Sequence, residues 1–114
     1  MLKAVIIDDE KNGRNTLIGL LESYCPEIEI MGEADSVKTG IEAIHKWQPD
    51  VVFLDIEMPD GTGFDLLSRI DSIDFEVIFV TAYDNYAVKA FQCSAVDYLL
   101  KPVNTDLLTA SIQK

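Results

Sequence analysis

The sequence predicts an α/β domain: a doubly wound, five-stranded parallel sheet in the order 2-1-3-4-5, with five helices shared between its two faces. Three observations lead there. Short apolar runs alternate with helix-period segments along the whole 114-residue chain. Three of the runs, Ala4–Ile7 (AVII), Val51–Leu54 (VVFL) and Val77–Val80 (VIFV), are unbroken and rich in branched residues, as are strands buried on both faces of a parallel sheet. The other two runs have the marks of sheet edges.

Taken in order, the first strand is AVII. The helix after it places Leu17, Leu20, Leu21, Tyr24 and Cys25 on one face, and Pro26 ends it. The second strand, Ile28 to Ala34, alternates, with Ile28, Ile30, Gly32 and Ala34 on one side and Glu29, Met31 and Glu33 on the other, which suits an edge. Ser36 caps the second helix, whose stripe is Val37, Ile41, Ile44 and Trp47, closed by Pro49. VVFL is the third strand. A turn at Pro59-Asp60-Gly61 leads into a third helix that buries Phe64, Leu67 and Ile70. VIFV is the fourth strand, followed by a short helix from about Asn85 to Gln92 with small residues at Ala87 and Ala90. The fifth strand, Val96 to Leu100, carries Asp97 and forms the other edge. Asn104 caps the last helix, with Asp106 in its first turn and Leu108 and Ile112 on its inner face.

The chain is long enough for one domain, residues 1–114, and too short for two. Twenty acids against nine Lys and Arg give a net charge of −11, so this segment repels nucleic-acid backbones. No apolar run approaches a membrane span, and MLKAVIIDDE does not read as a signal peptide, so none is expected. Cys25 and Cys93 form no metal-spaced pair, and a reduced, cytoplasmic protein is expected. The chain stops partway through its last helix, as an N-terminal domain excised from a longer protein would.

In a sheet of this order, ligands sit beyond the carboxyl ends of the strands where the winding reverses, between strands 1 and 3. Asp8-Asp9 and Asp55 follow those strands; Thr81 and Lys101 follow strands 4 and 5. Taken singly, each has an ordinary explanation as a cap, a strand end or a solvated charge; chance would not align all of them. Three acids gathered there repel unless a cation neutralises them, and Mg²⁺ (or Mn²⁺) suits an all-oxygen set. Asp9, Asp55 and the backbone carbonyl of Glu57 would bind it directly, with Asp8 acting through water. Lys101 brings the positive charge and Thr81 the hydroxyl that a phosphoryl group needs. A carboxylate can accept that group as an acyl phosphate, and Asp55 is placed to do so.

IIDDE, FLDIEMPDGTGFDLL, FVTAYD and DYLLKPV together resemble the receiver domain of two-component response regulators, a CheY-like family with the flavodoxin-like fold, over essentially the whole chain. The resemblance implies a signalling domain rather than an enzyme. Asp55 would take a phosphoryl group from a sensor histidine kinase, Asp8 and Asp9 would be the metal acids, and Lys101 would sense the phosphate. Thr81 and Tyr98 would be the switch pair, and the Lys101–Pro102 bond would be cis. Glu57 and Tyr83 would flank the path of an attacking water, the bulky Tyr83 slowing autodephosphorylation. Phosphorylation would alter the face formed by the fourth helix, fifth strand and last helix, and so promote a homodimer. TAYDNYAVKAFQCSAVDYLLKPV looks like receivers that precede a LytTR-type DNA-binding domain, which implies transcription regulation through a C-terminal domain outside this chain.

Two other readings compete. A stand-alone or phosphorylation-independent receiver would serve as an interaction module. An aspartyl phosphatase would need a general acid two residues after the nucleophile, where this chain has Glu57, and a nucleophile on the first strand. Other features are bland. Gly61-Thr62-Gly63 lacks a third glycine and is explained by turn formation, His45 is a surface residue, and Trp47, Tyr86 and Phe91 are packing residues.

Overall fold

Unbroken apolar runs with period-two side chains need cover on both sides, and the chain supplies it from helices that follow each strand. The computed structural model describes residues 1–113; Lys114, at the expected open end of the last helix, lies outside the described residues. In chain order the elements are β1 (Leu2–Ile7), α1 (Lys11–Tyr24), β2 (Ile28–Ala34), α2 (Val37–Trp47), β3 (Val51–Leu54), α3 (Gly63–Ser68), β4 (Glu76–Thr81), α4 (Ala87–Gln92), β5 (Asp97–Leu100) and α5 (Thr105–Ile112). The five strands form one parallel sheet in the order β2-β1-β3-β4-β5, as expected. Between β3 and α3, Glu57–Met58 pairs with Gly61–Thr62 in a small antiparallel hairpin that the sequence reading treated only as a turn.

Alternate residues of the central strands enter two cores. Val5, Ile7, Val52, Leu54, Val77 and Phe79 face α2, α3 and α4, where Val37, Ile44, Phe64, Leu66 and Ala90 meet them. Ala4, Ile6, Phe53, Ile78 and Val80 face the other way, against Leu17 and Leu21 of α1 and Leu108 of α5. Each large side chain so buried contributes about 1.5–3 kcal/mol. The helix starts follow the expected chemistry. Ser36 and Thr39 form a reciprocal capping box on α2, and Asn104 Oδ1 accepts from the Asp106 and Leu107 amides of α5.

Several details differ from the sequence reading. Strand β2 does not keep one alternation: its register with β1 shifts between Ala4–Ile30 and Val5–Gly32, so Met31 is bulged out. Ile28 and Ile30 therefore join the α1/α5 core while Ala34 joins the opposite one. Tyr24 is exposed at the last turn of α1, although Leu17, Leu21 and Cys25 are buried. In α3 the fully buried residue is Leu66, which a three-residue spacing passed over, and Ile70 is buried just beyond the helix. Strand β5 begins at Asp97 and α4 at Ala87, each later than expected. Phe91 projects into solvent rather than packing, whereas Tyr86 and Trp47 do pack against the core.

Candidate functional site

Backbone ladders fix the residues at the carboxyl edge of the sheet. The Asp8 amide donates to the Ala34 carbonyl (3.0 Å), Asp55 to Ile7 (2.9 Å) and Lys101 to Thr81 (2.8 Å). Asp8, Asp55 and Lys101 are thus each held through the backbone by the strand next to their own. Asp8 and Asp55 are 5% exposed and Thr81 is fully buried, while Asp9 faces solvent. One oxygen from each of Asp8, Asp9 and Asp55 lies within 4.8 Å of the others. Lys101 Nζ closes the group, 2.6 Å from Asp8 Oδ2 and 3.2 Å from Asp55 Oδ2.

Further donors orient the acids. The Glu10 amide reaches Asp8 Oδ1 at 2.9 Å, and the Ile56 amide reaches Asp55 Oδ1 at 2.7 Å. Even so, burial pushes the Asp55 carboxyl above the usual carboxylate range. The Lys101 charge opposes that rise, the Asp8 charge adds to it, and hydrogen bonds from Thr81 and Ile56 offset part of it. Burial and the charge of Asp8 likewise raise Asp9. Burial alone would lower the Lys101 ammonium, but its hydrogen bond to Asp8 and the charges of Asp55 and Asp8 carry it upward. Lys101 pairs with two of the three carboxylates, and Asp55 and Asp9 are held above their ordinary range. That excess of negative charge on hard oxygen donors fits a divalent cation of the Mg²⁺ class.

Residues 4–113 match the response regulator receiver domain. The chain belongs to the response regulator receiver family. It is 41% identical over 115 residues to the transcriptional regulatory protein BtsR of Escherichia coli, covering all of this chain and 48% of that one. It is 40% identical over 116 residues to the sensory transduction protein LytT of Bacillus anthracis, covering all of this chain and 47% of that one. Among solved structures, a DNA-binding response regulator of the LuxR family from Staphylococcus aureus superposes with a TM-score of 0.88 at 28% identity, over 99% of this chain and 97% of that one. The chain spans about half the length of the curated relatives it matches. No helix among the described residues is long and apolar enough to cross a membrane.

In this receiver the remaining singled-out residues form an outer ring. Thr81 Oγ1 accepts from the Tyr83 amide at 3.3 Å. The Tyr98 hydroxyl donates to the Tyr83 carbonyl, and its ring lies 6.2 Å from that of Phe79. Tyr83 is 44% exposed, with its ring edge-on to Tyr86. The Glu57 side chain does not join the three acids: it accepts from the Tyr86 hydroxyl at 3.3 Å. The Lys101–Pro102 bond is cis, as the resemblance implied.

Four residues with a part in the site escaped the sequence reading. Gly13, on the first turn of α1, faces the pocket so closely that a Cβ there would lie 2.7 Å from Asp8 Oδ2 and 3.3 Å from Lys101 Nζ. Arg14 donates from Nη1 to the Asp8 carbonyl at 2.7 Å and from Nε to Glu33 at 3.0 Å, tying the Asp8 loop to β2. Gly63 is not explained by a turn, since a Cβ there would meet the Asp55 carbonyl oxygen at 2.6 Å; only Gly61, at φ 149°, needs glycine for its backbone. Asp60 accepts from the Val37 and Lys38 amides at 2.8 and 3.0 Å, capping α2 from the loop beyond Asp55. A glycine inside an amphipathic helix, as at Gly13, is the one available hint.

Proposed function

We propose that this receiver is a phosphorylation switch in which Asp55 accepts a phosphoryl group from the phosphohistidine of a sensor histidine kinase. The observation that carries this reading is the placement of Lys101 Nζ against the nearly buried Asp8 and Asp55, with the exposed Asp9 completing a three-acid cluster. An Asp55 oxygen attacks phosphorus, the phosphorus–nitrogen bond breaks, and the imidazole leaves with a proton. The protein's part is positioning and charge. Asp8, Asp9 and Asp55, with the Glu57 carbonyl, would hold Mg²⁺ or Mn²⁺, which neutralises charge on the phosphoryl oxygens. Lys101 pairs with one of those oxygens and the buried Thr81 hydroxyl hydrogen-bonds another.

The signal leaves through Thr81 and Tyr98. Drawing the Thr81 hydroxyl toward the phosphoryl group takes it from the Tyr83 amide and opens room for the Tyr98 ring, which now holds the Tyr83 carbonyl. Both contacts end on the loop before α4, so the loop shifts with them. Val88, Phe91, Leu100 and Leu107 expose apolar surface on α4, β5 and α5, which suits a face that pairs two receivers. The names of the relatives support a transcriptional output through a DNA-binding domain, of LytTR type by the likeness to LytT, beyond this 1–114 unit. The switch favours the paired state only as far as the phosphoryl group makes contacts that the resting state lacks.

Phosphoramidate, whose phosphorus–nitrogen bond mimics phosphohistidine, tests the reading. With Mg²⁺ it should add one phosphoryl group to the wild-type chain and none to Asp55→Asn. Equal labelling of both chains would overturn the assignment.

A further inference from the structure

A fourth carboxylate belongs to the neighbourhood of the pocket yet stands outside it. Glu57 follows Asp55 by two residues, but the acids that converge are Asp8, Asp9 and Asp55. The Glu57 carboxylate is turned instead to the hydroxyl of Tyr86, which sits at the start of α4. That hydroxyl is placed by its ring, which packs 5.9 Å from Phe64 on one side and meets Tyr83 edge-on at 6.4 Å on the other. Phe64 in turn lies 5.1 Å from Phe79 of the central sheet, so the donor is mounted on the core rather than on a free side chain. The charge of Glu57 is felt there, since it is the main cause holding the Tyr86 phenol above its ordinary range.

We propose that Tyr86 is a positioning residue that parks the Glu57 carboxylate outside the acidic pocket, and so sets the balance between cation and phosphoryl binding at Asp55. The inference rests on the reading of Asp55 as a metal-assisted phosphoacceptor. Its physics is charge counting. A fourth carboxylate free to enter the pocket adds an oxygen donor and a negative charge, which favours a hard divalent cation. The same charge opposes a phosphoryl group, whose own oxygens are anionic. Releasing Glu57 therefore moves the two affinities in opposite directions, which general loosening of the fold would not do.

The test is calorimetric titration of the 114-residue chain with MgCl₂, and then with beryllofluoride at saturating Mg²⁺. Tyr86→Phe keeps the ring and removes only the donor. It should tighten Mg²⁺ and weaken beryllofluoride, each by about fivefold, the ratio expected for the loss of one hydrogen bond. Both shifts should vanish when Glu57→Gln is combined with Tyr86→Phe. Wild-type binding of both ligands with no change in Tyr86→Phe, or the same changes persisting without Glu57, would overturn the role of Tyr86 alone. A wild-type chain that binds neither ligand would overturn the phosphoacceptor reading and this inference with it.

Discussion

The Lys101 ammonium lies 2.6 Å from a carboxylate oxygen of Asp8, a closer contact than the 3.2 Å it makes with Asp55. The lysine at the end of β5 is thus anchored first on the acid that follows β1, across the whole central sheet. Removing it leaves two nearly buried carboxylates facing each other without a counter-charge. Lys101→Met should lower unfolding free energy by about 2–3 kcal/mol in cation-free, low-salt buffer. Urea unfolding measures this, and added Mg²⁺ should recover part of the loss.

Without a divalent cation, Asp55 should cost the fold stability at neutral pH. Burial raises its carboxyl above the unfolded value, so the folded chain holds the proton to higher pH than the unfolded chain does. The contribution of this group is therefore most favourable below the ordinary carboxylate range, and falls as pH rises through the folded value. Asp55→Asn should raise the thermal midpoint at pH 7 without divalent cation, by an amount corresponding to about 1 kcal/mol. The gain should disappear at acid pH, where Asp55 is protonated in both states.

Asp60 has the opposite sign. Hydrogen bonds from the Val37 and Lys38 amides hold its carboxyl below the usual range, so its stabilisation is present above the unfolded pKa and is lost as pH falls through the folded value. Asp60→Asn should lower the thermal midpoint at pH 7 by weakening the cap of α2. Midpoints of the two chains should converge in strong acid.

These cases show which parts of the molecule were legible in the sequence. The strand runs at 51–54 and 77–80 were plain because two-sided burial requires unbroken apolar residues, and the meeting of Asp8, Asp9, Asp55 and Lys101 at one sheet edge was plain because strand ends are fixed points of such a sheet. Asp60 was read only as a turn residue, since its bonds to α2 join segments more than twenty residues apart, a relationship that local preference does not encode. The Met31 bulge was hidden because the alternation of residue types continues through it. Gly63 looked like its neighbour Gly61, although one answers a close backbone approach and the other a positive φ. Phe91 reads as a packing residue by ring size, but its position leaves it 57% exposed on α4.

Tyr83 offers a kinetic check. Its half-exposed ring stands two residues past the buried Thr81, whose hydroxyl accepts from the Tyr83 amide. Tyr83→Ala should shorten the lifetime of the phosphorylated chain severalfold, read from loss of the phosphoryl label over time. An unchanged lifetime would remove Tyr83 from the account.

Asp55 itself should carry the phosphoryl group. An acyl phosphate is reduced by borohydride to a stable alcohol, which marks the acceptor for peptide mass spectrometry after treatment with phosphoramidate and Mg²⁺. The predicted result is one reduced site, at Asp55, with Asp8 and Asp9 unmodified. Reduction at another acid, or a phosphoryl group found on His45 with Asp55 untouched, would contradict it.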